Sequence, residues 1–139
     1  MARNADYEFL VLEGHLDTFG HVNNAEYLRL FEEARWQIIT AAGYGMDVIK
    51  STGIGPVLLG VNLKFKKELK LRQRVRIETE IAEVNAKIFS VSQKMVNVDT
   101  GDVHAEAEYT AGIFDTEKRK LVPIPNAWRR AVNIPETAS

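Results

Sequence analysis

The sequence predicts an α+β protein in which one antiparallel sheet wraps around a single long central helix. Two features lead to this prediction: an amphipathic helical pattern begins near residue 24, and most of the remaining chain alternates in a strand-like way. Consecutive strands joined by short polar turns pair antiparallel, and a long apolar helix needs a sheet to cover it. With 139 residues, the chain is expected to form one domain over residues 1–139.

The first strand is predicted from Tyr7, where aromatic and aliphatic residues alternate up to Glu13 and Gly14. A polar turn at residues 17–24, with the sequence D-T-F-G-H-V-N-N, follows it. Asn23 or Asn24 is a favoured N-cap, and Asn23 with Glu26 resembles a capping box. The helix should therefore begin near Asn24.

The predicted helix has a wide apolar face and an opposite face marked by Arg29, Glu33 and Gln37. The apolar face comprises Tyr27, Leu28, Phe31, Ala34, Ile38 and Ala42, extended by Leu30 and Ile39. Gly43 and Gly45 are typical of a helix end. Residues 46–55 are then predicted to form a loop.

Four strands are predicted at residues 56–69, 75–84, 88–98 and 103–114, with turns at 85–87, 99–102 and 115–120. In the first, Val57, Leu59, Val61, Leu63 and Phe65 are expected on one face. If this strand lies at the sheet edge, pairing across a dimer would satisfy its free amides. Residues 125–131 favour a helical turn beginning near Pro125, and residues 136–139 are expected to fray.

Composition excludes several classes of function. The net charge of −1 argues against a nucleic-acid binder, and the absence of cysteine excludes disulfides, thiolate nucleophiles and cysteine-based zinc sites. The three histidines lack metal-binding spacing, so no metal is predicted. No apolar run reaches the length of a membrane span or a signal peptide, so we expect a soluble cytoplasmic protein that binds no membrane.

Residues 17–28 read D-T-F-G-H-V-N-N-A-E-Y-L, and residues 32–35 read E-E-A-R. The pattern D-x-x-G-H-V-N-N-x-x-Y resembles the acyl-CoA thioesterases of the 4-hydroxybenzoyl-CoA thioesterase type, and the resemblance covers nearly the whole chain. It implies the hotdog fold and an acyl-CoA substrate without a cofactor. It also implies a homodimer paired edge to edge, with active sites at the interface, or a homotetramer of two such dimers.

The same resemblance implies that Asp17 is the catalytic carboxylate and that amides at the helix start polarise the thioester carbonyl. Residues expected to shape the site are Gly20, His21, Val22, Asn24 and Tyr27. Two departures stand out. His15 occupies a position where many relatives carry a second aspartate, and Gln73 and Arg74 replace a Gly-Asp pair.

Chemical reasoning supports such a site at the turn. Asp17 can attack a thioester directly or deprotonate a water, and the sequence leaves both routes open. The helix start offers unpaired amides and a positive dipole end, and Gly20 allows close approach of the backbone. Basic residues that could hold CoA phosphates are Lys64, Lys66, Lys67 and Arg74, with Arg72 and Lys87 nearby.

Each residue also has a plainer interpretation. Asp17 by itself is typical of a turn, Tyr27 and Phe31 of the core, and the basic residues of a solvated strand face. Alternative functions are a hydratase or dehydratase using His21 with Asp17, and an acyl-thioester binding module without turnover. Carrier protein could replace CoA. Phe19, Met46 and Ile49 are expected to close the acyl tunnel, but the sequence leaves its length open.

Overall fold

The computed structural model describes residues 2–138, with side chains from residue 4 onward. Its elements are β1 (Ala2–Arg3), β2 (Tyr7–Leu10), a 3₁₀ turn (Glu13–His15), α1 (Asn24–Ala41), α2 (Met46–Thr52), β3 (Ile54–Phe65), β4 (Arg74–Glu83), β5 (Ile88–Asn97), β6 (Val103–Asp115), β7 (Lys120–Val122) and α3 (Asn126–Ala131). The predicted α+β class is confirmed.

The strands form one antiparallel sheet in the order β1-β4-β5-β6-β3, with β2 also on β4 and β7 also on β6. The buried side chains of α1 and the inward residues of β4, β5 and β6 belong to a single hydrophobic core. The sheet therefore covers the helix as the sequence predicts, and β3 forms one edge of it.

The predicted loop at residues 46–55 is wrong in its first part, because α2 occupies Met46–Thr52. Its N-cap is Gly45, which has no side chain to mark a helix start. The predicted strand at 56–69 also ends early, at Phe65. Beyond that point the amides of Lys66 and Lys67 both donate to His104 O, at 2.9 and 3.1 Å, so the chain turns away from the ladder.

The helix begins at Asn24, and Asn23 is its N-cap, with its side-chain oxygen accepting from Ala25 N at 2.9 Å. The predicted capping box does not form. Glu26 pairs instead with Arg29 at 3.2 Å, and the Asn23 amide donates to His15 O. One end of the helix is thus capped by Asn23 alone.

Two residues assigned to the apolar face of α1 lie elsewhere. Leu28 is 39% exposed, and Ala42 is exposed beyond the last helical residue. Leu30 and Ile39 are buried, as expected, because at 3.6 residues per turn they extend the face of Tyr27, Phe31, Ala34 and Ile38 on its two sides.

A β-bulge between Leu58 and Gly60 changes which residues of β3 face inward. Leu58 lies opposite Ala111 and Val61 lies opposite Tyr109, and both partners are buried. The five residues expected on one face are therefore divided by the bulge, because Val57 lies opposite Gly112 before it and Leu59 is the extra residue. The prediction holds for Val61, Leu63 and Phe65.

The last described residues are held against α3. The Arg129 side chain is 2% exposed, pairs with Glu83, and donates to the carbonyls of Ile124 at 3.2 Å and Pro135 at 3.1 Å. Asn126 exchanges hydrogen bonds with the Thr137 backbone at 2.9 and 3.0 Å. These contacts fix residues 135–137, where the sequence had led us to expect fraying from residue 136.

Candidate functional site

The D-x-x-G-H-V-N-N segment folds as a tight hairpin that leads into α1. Leu16 and Val22 form a β-bridge, and the Asp17 amide donates to His21 O at 2.7 Å. A further bond from the Gly20 amide to Asp17 O, at 3.1 Å, closes a three-residue loop. This is the geometry of a turn followed by a left-handed residue, which suits the right-handed twist of a hairpin.

The hairpin separates polar from apolar side chains. Val22 is 6% exposed and Leu16 packs against the core, so this pair of neighbours faces inward. Residues one position away on each strand point to the opposite side. Asp17 and His21 therefore share the outer face, where both are exposed. His15 ends the 3₁₀ turn before the hairpin, its Nδ1 accepts from Leu12 N at 3.0 Å, and its ring lies edge-on to Phe9.

Gly20 is required here for its backbone conformation. Its φ is +79°, and a Cβ built on it would meet no atom within 4 Å. We had expected glycine to permit close approach of the backbone to a ligand. Within the described chain, the left-handed φ is the reason for glycine, because other residues adopt it at a cost.

Asp17 uses one carboxylate oxygen to form the turn. Its Oδ1 accepts from Phe19 N at 2.9 Å and from His21 N at 3.1 Å. Its Oδ2 accepts no hydrogen bond from residues 4–138, and the residue is exposed. Asp17 thus acts as a turn residue through Oδ1, which is its plainer interpretation, while Oδ2 remains without a partner in the described chain.

The first amide of α1 is also without a partner. Ala25 N donates to the Asn23 side chain and Glu26 N donates to Asn23 O at 2.9 Å. Asn24 N makes no hydrogen bond to any described residue. A free amide at a helix start is a donor suited to a negative oxygen.

Two residues predicted to shape the site belong to the core. Tyr27 is 5% exposed, and its ring lies edge-on to Phe65 with centroids 5.0 Å apart. Burial raises the pKa of the Tyr27 hydroxyl. Tyr27 and Val22 therefore support the hairpin from inside, and Tyr27 connects it to the end of β3.

Glu68 joins the hairpin in a contact that sequence reasoning missed. Its Oε1 lies 3.0 Å from His21 Nε2, and both side chains are about half exposed or more, at 49% and 61%. Glu68 follows β3, far from His21 along the chain. No local pattern marks such a pair, because the two residues meet only through the fold.

Two of the four predicted CoA-binding residues have acidic neighbours. Lys67 is paired with Asp102 at 2.6 Å, and Lys64 lies opposite Glu106 in the ladder on the outer sheet face. Lys66 and Arg74 are exposed and pair with no acid among the described residues. Of the neighbouring residues, Arg72 pairs with Glu13 at 2.5 Å.

An apolar cavity of about 160 Å³ lies between the second half of α1 and the sheet. Its walls include Ile38, Leu58, Phe89, Ala111, Trp128 and Val132, with Glu32 and Arg35 as the charged members. Phe19, Met46 and Ile49, which we expected to close an acyl tunnel, do not line it, and Phe19 is 84% exposed. From Asn24 to Arg35 the helix rises roughly 16 Å, so the cavity and the hairpin of one chain lie well apart.

Two negative findings concern the part of the chain that the structure describes. Residues 2–138 contain no helix long and apolar enough to cross a membrane. The same residues contain no group of three or more His, Cys, Asp or Glu side chains able to hold a metal ion.

A family model and a known protein match most of this chain. A model of the family described as the thioesterase-like superfamily matches residues 11–132. The long-chain acyl-CoA thioesterase FadM of Escherichia coli is 28% identical over 115 residues, which cover 83% of this chain and 86% of that protein.

Solved structures show the same architecture. The 1,4-dihydroxy-2-naphthoyl-CoA thioesterase Slr0204 from Synechocystis has a TM-score of 0.86 at 20% identity, covering 95% of this chain and 96% of its own. The probable thioesterase YbaW from Escherichia coli has a TM-score of 0.81 at 25% identity, covering 91% and 98%. The hotdog fold implied by the sequence resemblance is confirmed.

Proposed function

Because the chain belongs to the thioesterase-like superfamily and is a thioester hydrolase, we propose that it cleaves acyl-CoA at the hairpin of residues 15–23. One observation carries this proposal. A single short segment presents a carboxylate oxygen, Asp17 Oδ2, and a helix amide, Asn24 N, neither of which has a partner in the described chain. Hydrolysis requires both an attacking oxygen and a donor for the developing oxyanion.

In the proposed reaction, the Asp17 carboxylate either removes a proton from a water that attacks the thioester carbon, or attacks that carbon itself. Charge develops on the carbonyl oxygen, where the Asn24 amide and the positive end of α1 stabilise it. The C–S bond then breaks and CoA leaves as a thiolate. In the second route, water completes the reaction by hydrolysing the acyl-aspartyl anhydride.

We also propose that the active unit is a dimer of two copies of this chain, paired through β3. This strand is a sheet edge, and Leu58, Val61 and Phe65 on its inward face are 46%, 50% and 52% exposed. Antiparallel pairing about the middle of β3 would set the Phe65 end of one strand beside the Leu58 end of the other. The hairpin of one subunit would then lie next to the cavity of its partner.

Pairing through β3 is tested by a charge at its centre. Val61→Lys is expected to convert the dimer to monomers, measured by light scattering after size-exclusion chromatography, and to abolish thioester hydrolysis. Thr110→Lys, which adds the same charge at an exposed position of β6, is the control. A Val61→Lys variant that stays dimeric, or a monomer with full activity, would refute this arrangement.

The catalytic proposal is tested with acyl-CoA esters of different chain length, following thiol release with a chromogenic disulfide. Asp17→Asn keeps a side-chain oxygen for the turn but removes the carboxylate, and we expect a loss of about 10²–10⁴-fold. Asp115→Asn is a matched control, because Asp115 also accepts two backbone amides in a turn. Full turnover in Asp17→Asn would refute the role of Asp17.

The same assay tests the alternatives. Loss of enoyl absorbance from crotonyl-CoA without thiol release would indicate a hydratase. Binding of acyl-CoA without release of thiol from any ester would indicate a binding module. Hydrolysis of acyl thioesters of acyl-carrier protein, but not of CoA, would mean that the carrier protein is the thiol part of the substrate. The proposed site would stay the same.

A further inference from the structure

A buried histidine holds the post-β3 segment, residues 66–69, where the chain leaves the sheet. His104, near the start of β6, is 1% exposed. Its carbonyl oxygen accepts from the amides of Lys66 at 2.9 Å and Lys67 at 3.1 Å. Its ring Nδ1 lies 3.0 Å from Lys67 O. Backbone and side chain of one residue thus both bind the post-β3 segment.

Two neighbours determine which ring nitrogen of His104 carries the proton. A carbonyl oxygen can only accept, so Nδ1 donates to Lys67 O. The other nitrogen, Nε2, lies 3.4 Å from Asn97 Nδ2. Asn97 cannot turn its oxygen toward the ring, because Oδ1 accepts from Asp99 N at 2.9 Å and Thr100 N at 3.1 Å. Nε2 is therefore an acceptor, and the ring is fixed as the Nδ1–H tautomer.

The post-β3 segment contacts the hairpin of residues 15–23 and the first turn of α1. Glu68 Oε1 lies 3.0 Å from His21 Nε2. Leu69 is fully buried, and its backbone forms a hydrogen bond with the Tyr27 hydroxyl. His21 lies before the start of α1 and Tyr27 lies after it. The post-β3 segment therefore supports the proposed oxyanion donor from both sides.

The post-β3 segment is not held by strand pairing. β3 ends at Phe65, and the post-β3 segment pairs with no strand of the described chain. Lys67 also pairs with Asp102, but their side chains are 58% and 42% exposed, so this pair stabilises the segment little. β6, by contrast, is fixed between β3 and β5. The burial of Leu69 and the hydrogen bonds of His104 therefore determine where the segment lies.

We propose that His104 is a positioning residue for thioester hydrolysis. Its Nδ1–H bond to Lys67 O sets the post-β3 segment, which in turn sets the Asp17 carboxylate relative to the Asn24 amide. This inference rests on the proposed function and adds a residue that does not touch the substrate. Both reacting groups must be aligned on one thioester, and a displacement of about 1 Å can cost on the order of 100-fold in rate.

Two substitutions of His104 differ in the ring nitrogen that they replace. In His104→Asn, the side-chain amide nitrogen lies close to the position of Nδ1 and can still donate to Lys67 O. In His104→Gln, the longer side chain places its amide near the position of Nε2, beside Asn97, and the bond to Lys67 O is lost. Both variants keep a buried amide, so together they separate this bond from a general loss of packing.

The two variants are compared by thiol release from acyl-CoA esters. His104→Gln is expected to lower kcat by about 10- to 100-fold with little change in KM, because it displaces the reacting groups and leaves the surfaces that bind acyl-CoA intact. His104→Asn should retain most of the native kcat. Equal kcat values in the two variants, whether both native-like or both reduced, would overturn the inference.

A control variant separates positioning from stability. Tyr44 is also buried, at 6%, and its hydroxyl donates to Ile54 O at 3.2 Å. Tyr44→Phe removes this bond at a distance from the hairpin, so it should lower the melting temperature and leave kcat per folded molecule unchanged. A fall in kcat as large as that of His104→Gln would mean that turnover follows stability alone, and the inference would be overturned.

NMR spectroscopy keeps this inference separate from the proposed function, because it needs no turnover. The ring nitrogen shifts of His104 should show the Nδ1–H tautomer, and the Asn24 amide signal should move further in His104→Gln than in His104→Asn. These results without thiol release by the native protein would support the positioning of the hairpin and refute the proposed catalysis. An Nε2–H tautomer, or an Asn24 signal that His104→Gln leaves in place, would overturn the inference even in an active thioesterase.

Discussion

The turns at Asp17 and Asp115 use the same local chemistry in different surroundings. Asp17 Oδ1 accepts from two backbone amides at 2.9 and 3.1 Å, and Asp115 Oδ1 accepts from two at 2.9 and 3.0 Å. Each turn also contains a left-handed residue, Gly20 at φ +79° and Arg119 at φ +57°. By their hydrogen bonds to backbone amides alone, the two carboxylates have the same role in a turn.

Their surroundings differ. Asp115 is 9% exposed in the hairpin between β6 and β7, whereas Asp17 is exposed and lies seven residues before the start of α1. Only the Asp17 turn is adjacent to a free helix amide. The comparison shows that turn hydrogen bonds alone do not distinguish the carboxylate proposed to be catalytic from one that only holds a turn, and that the neighbouring elements must be considered.

The largest expected effect is that removing each carboxylate impairs a different property of the protein, turnover for Asp17 and stability for Asp115. Asp17→Ala should lower kcat for acyl-CoA by about 10²–10⁴-fold with a small change in melting temperature, because water can satisfy its exposed amides. Asp115→Ala should lower the melting temperature and preserve turnover, because it leaves the amides of Glu117 and Lys118 without their acceptor. If both variants lost turnover, or if both lost only stability, the two carboxylates would not differ in their roles.

A smaller effect is expected from the left-handed residue of the first turn. Gly20→Ala should destabilise the fold by about 1–2 kcal/mol, the cost of a Cβ at positive φ. Gly14→Ala is the control, because a Cβ there meets no atom within 4 Å and its φ is not positive. Urea unfolding measures both. Equal stability of the two variants would show that the Gly20 backbone relaxes.

A pH experiment examines the second turn. The Lys118 amide, together with that of Glu117, holds the pKa of Asp115 below its usual range, although burial opposes the shift. A lowered pKa stabilises the fold above the unfolded value of about 3.9, and this stabilisation is lost as the pH falls through the folded pKa. The difference in melting temperature between the native protein and Asp115→Asn should be constant near neutral pH and shrink below about pH 4. A constant difference at pH 3 would contradict this.

The smallest effect concerns the surface pair beside Asp17. Glu68→Gln removes the carboxylate that contacts His21 Nε2 between side chains that are 49% and 61% exposed, so we expect a loss of only a few tenths of a kcal/mol. Chemical denaturation measures it, with Glu117→Gln as a surface control. A loss of more than about 1 kcal/mol would mean that Glu68 holds the hairpin in place.

Much of the fold could be predicted because it depends on local patterns. Alternation located β4, β5 and β6 to within one residue at each end, and Asn23 marked the start of α1. The short helix α2 was missed because its glycine N-cap gives no side-chain signal. The bulge in β3 was missed because an extra residue leaves the alternation of each half intact.

The candidate site was predictable only where it is continuous in sequence. Asp17, Gly20 and the helix start belong to one segment, and their pattern was recognised. The contacts of Glu68 with His21 and of Gln93 with Arg35 were not, because strands far apart in the sequence bring them together.

The bulge at Leu58 and Gly60 has a consequence for how this protein avoids aggregation. An exposed edge strand is a template on which any extended chain can add. The extra residue interrupts the regular spacing of amides and carbonyls along β3 and increases its twist. A foreign strand would therefore find a matching ladder on only half of the edge, whereas a second copy carries the same interruption and can meet it by symmetry.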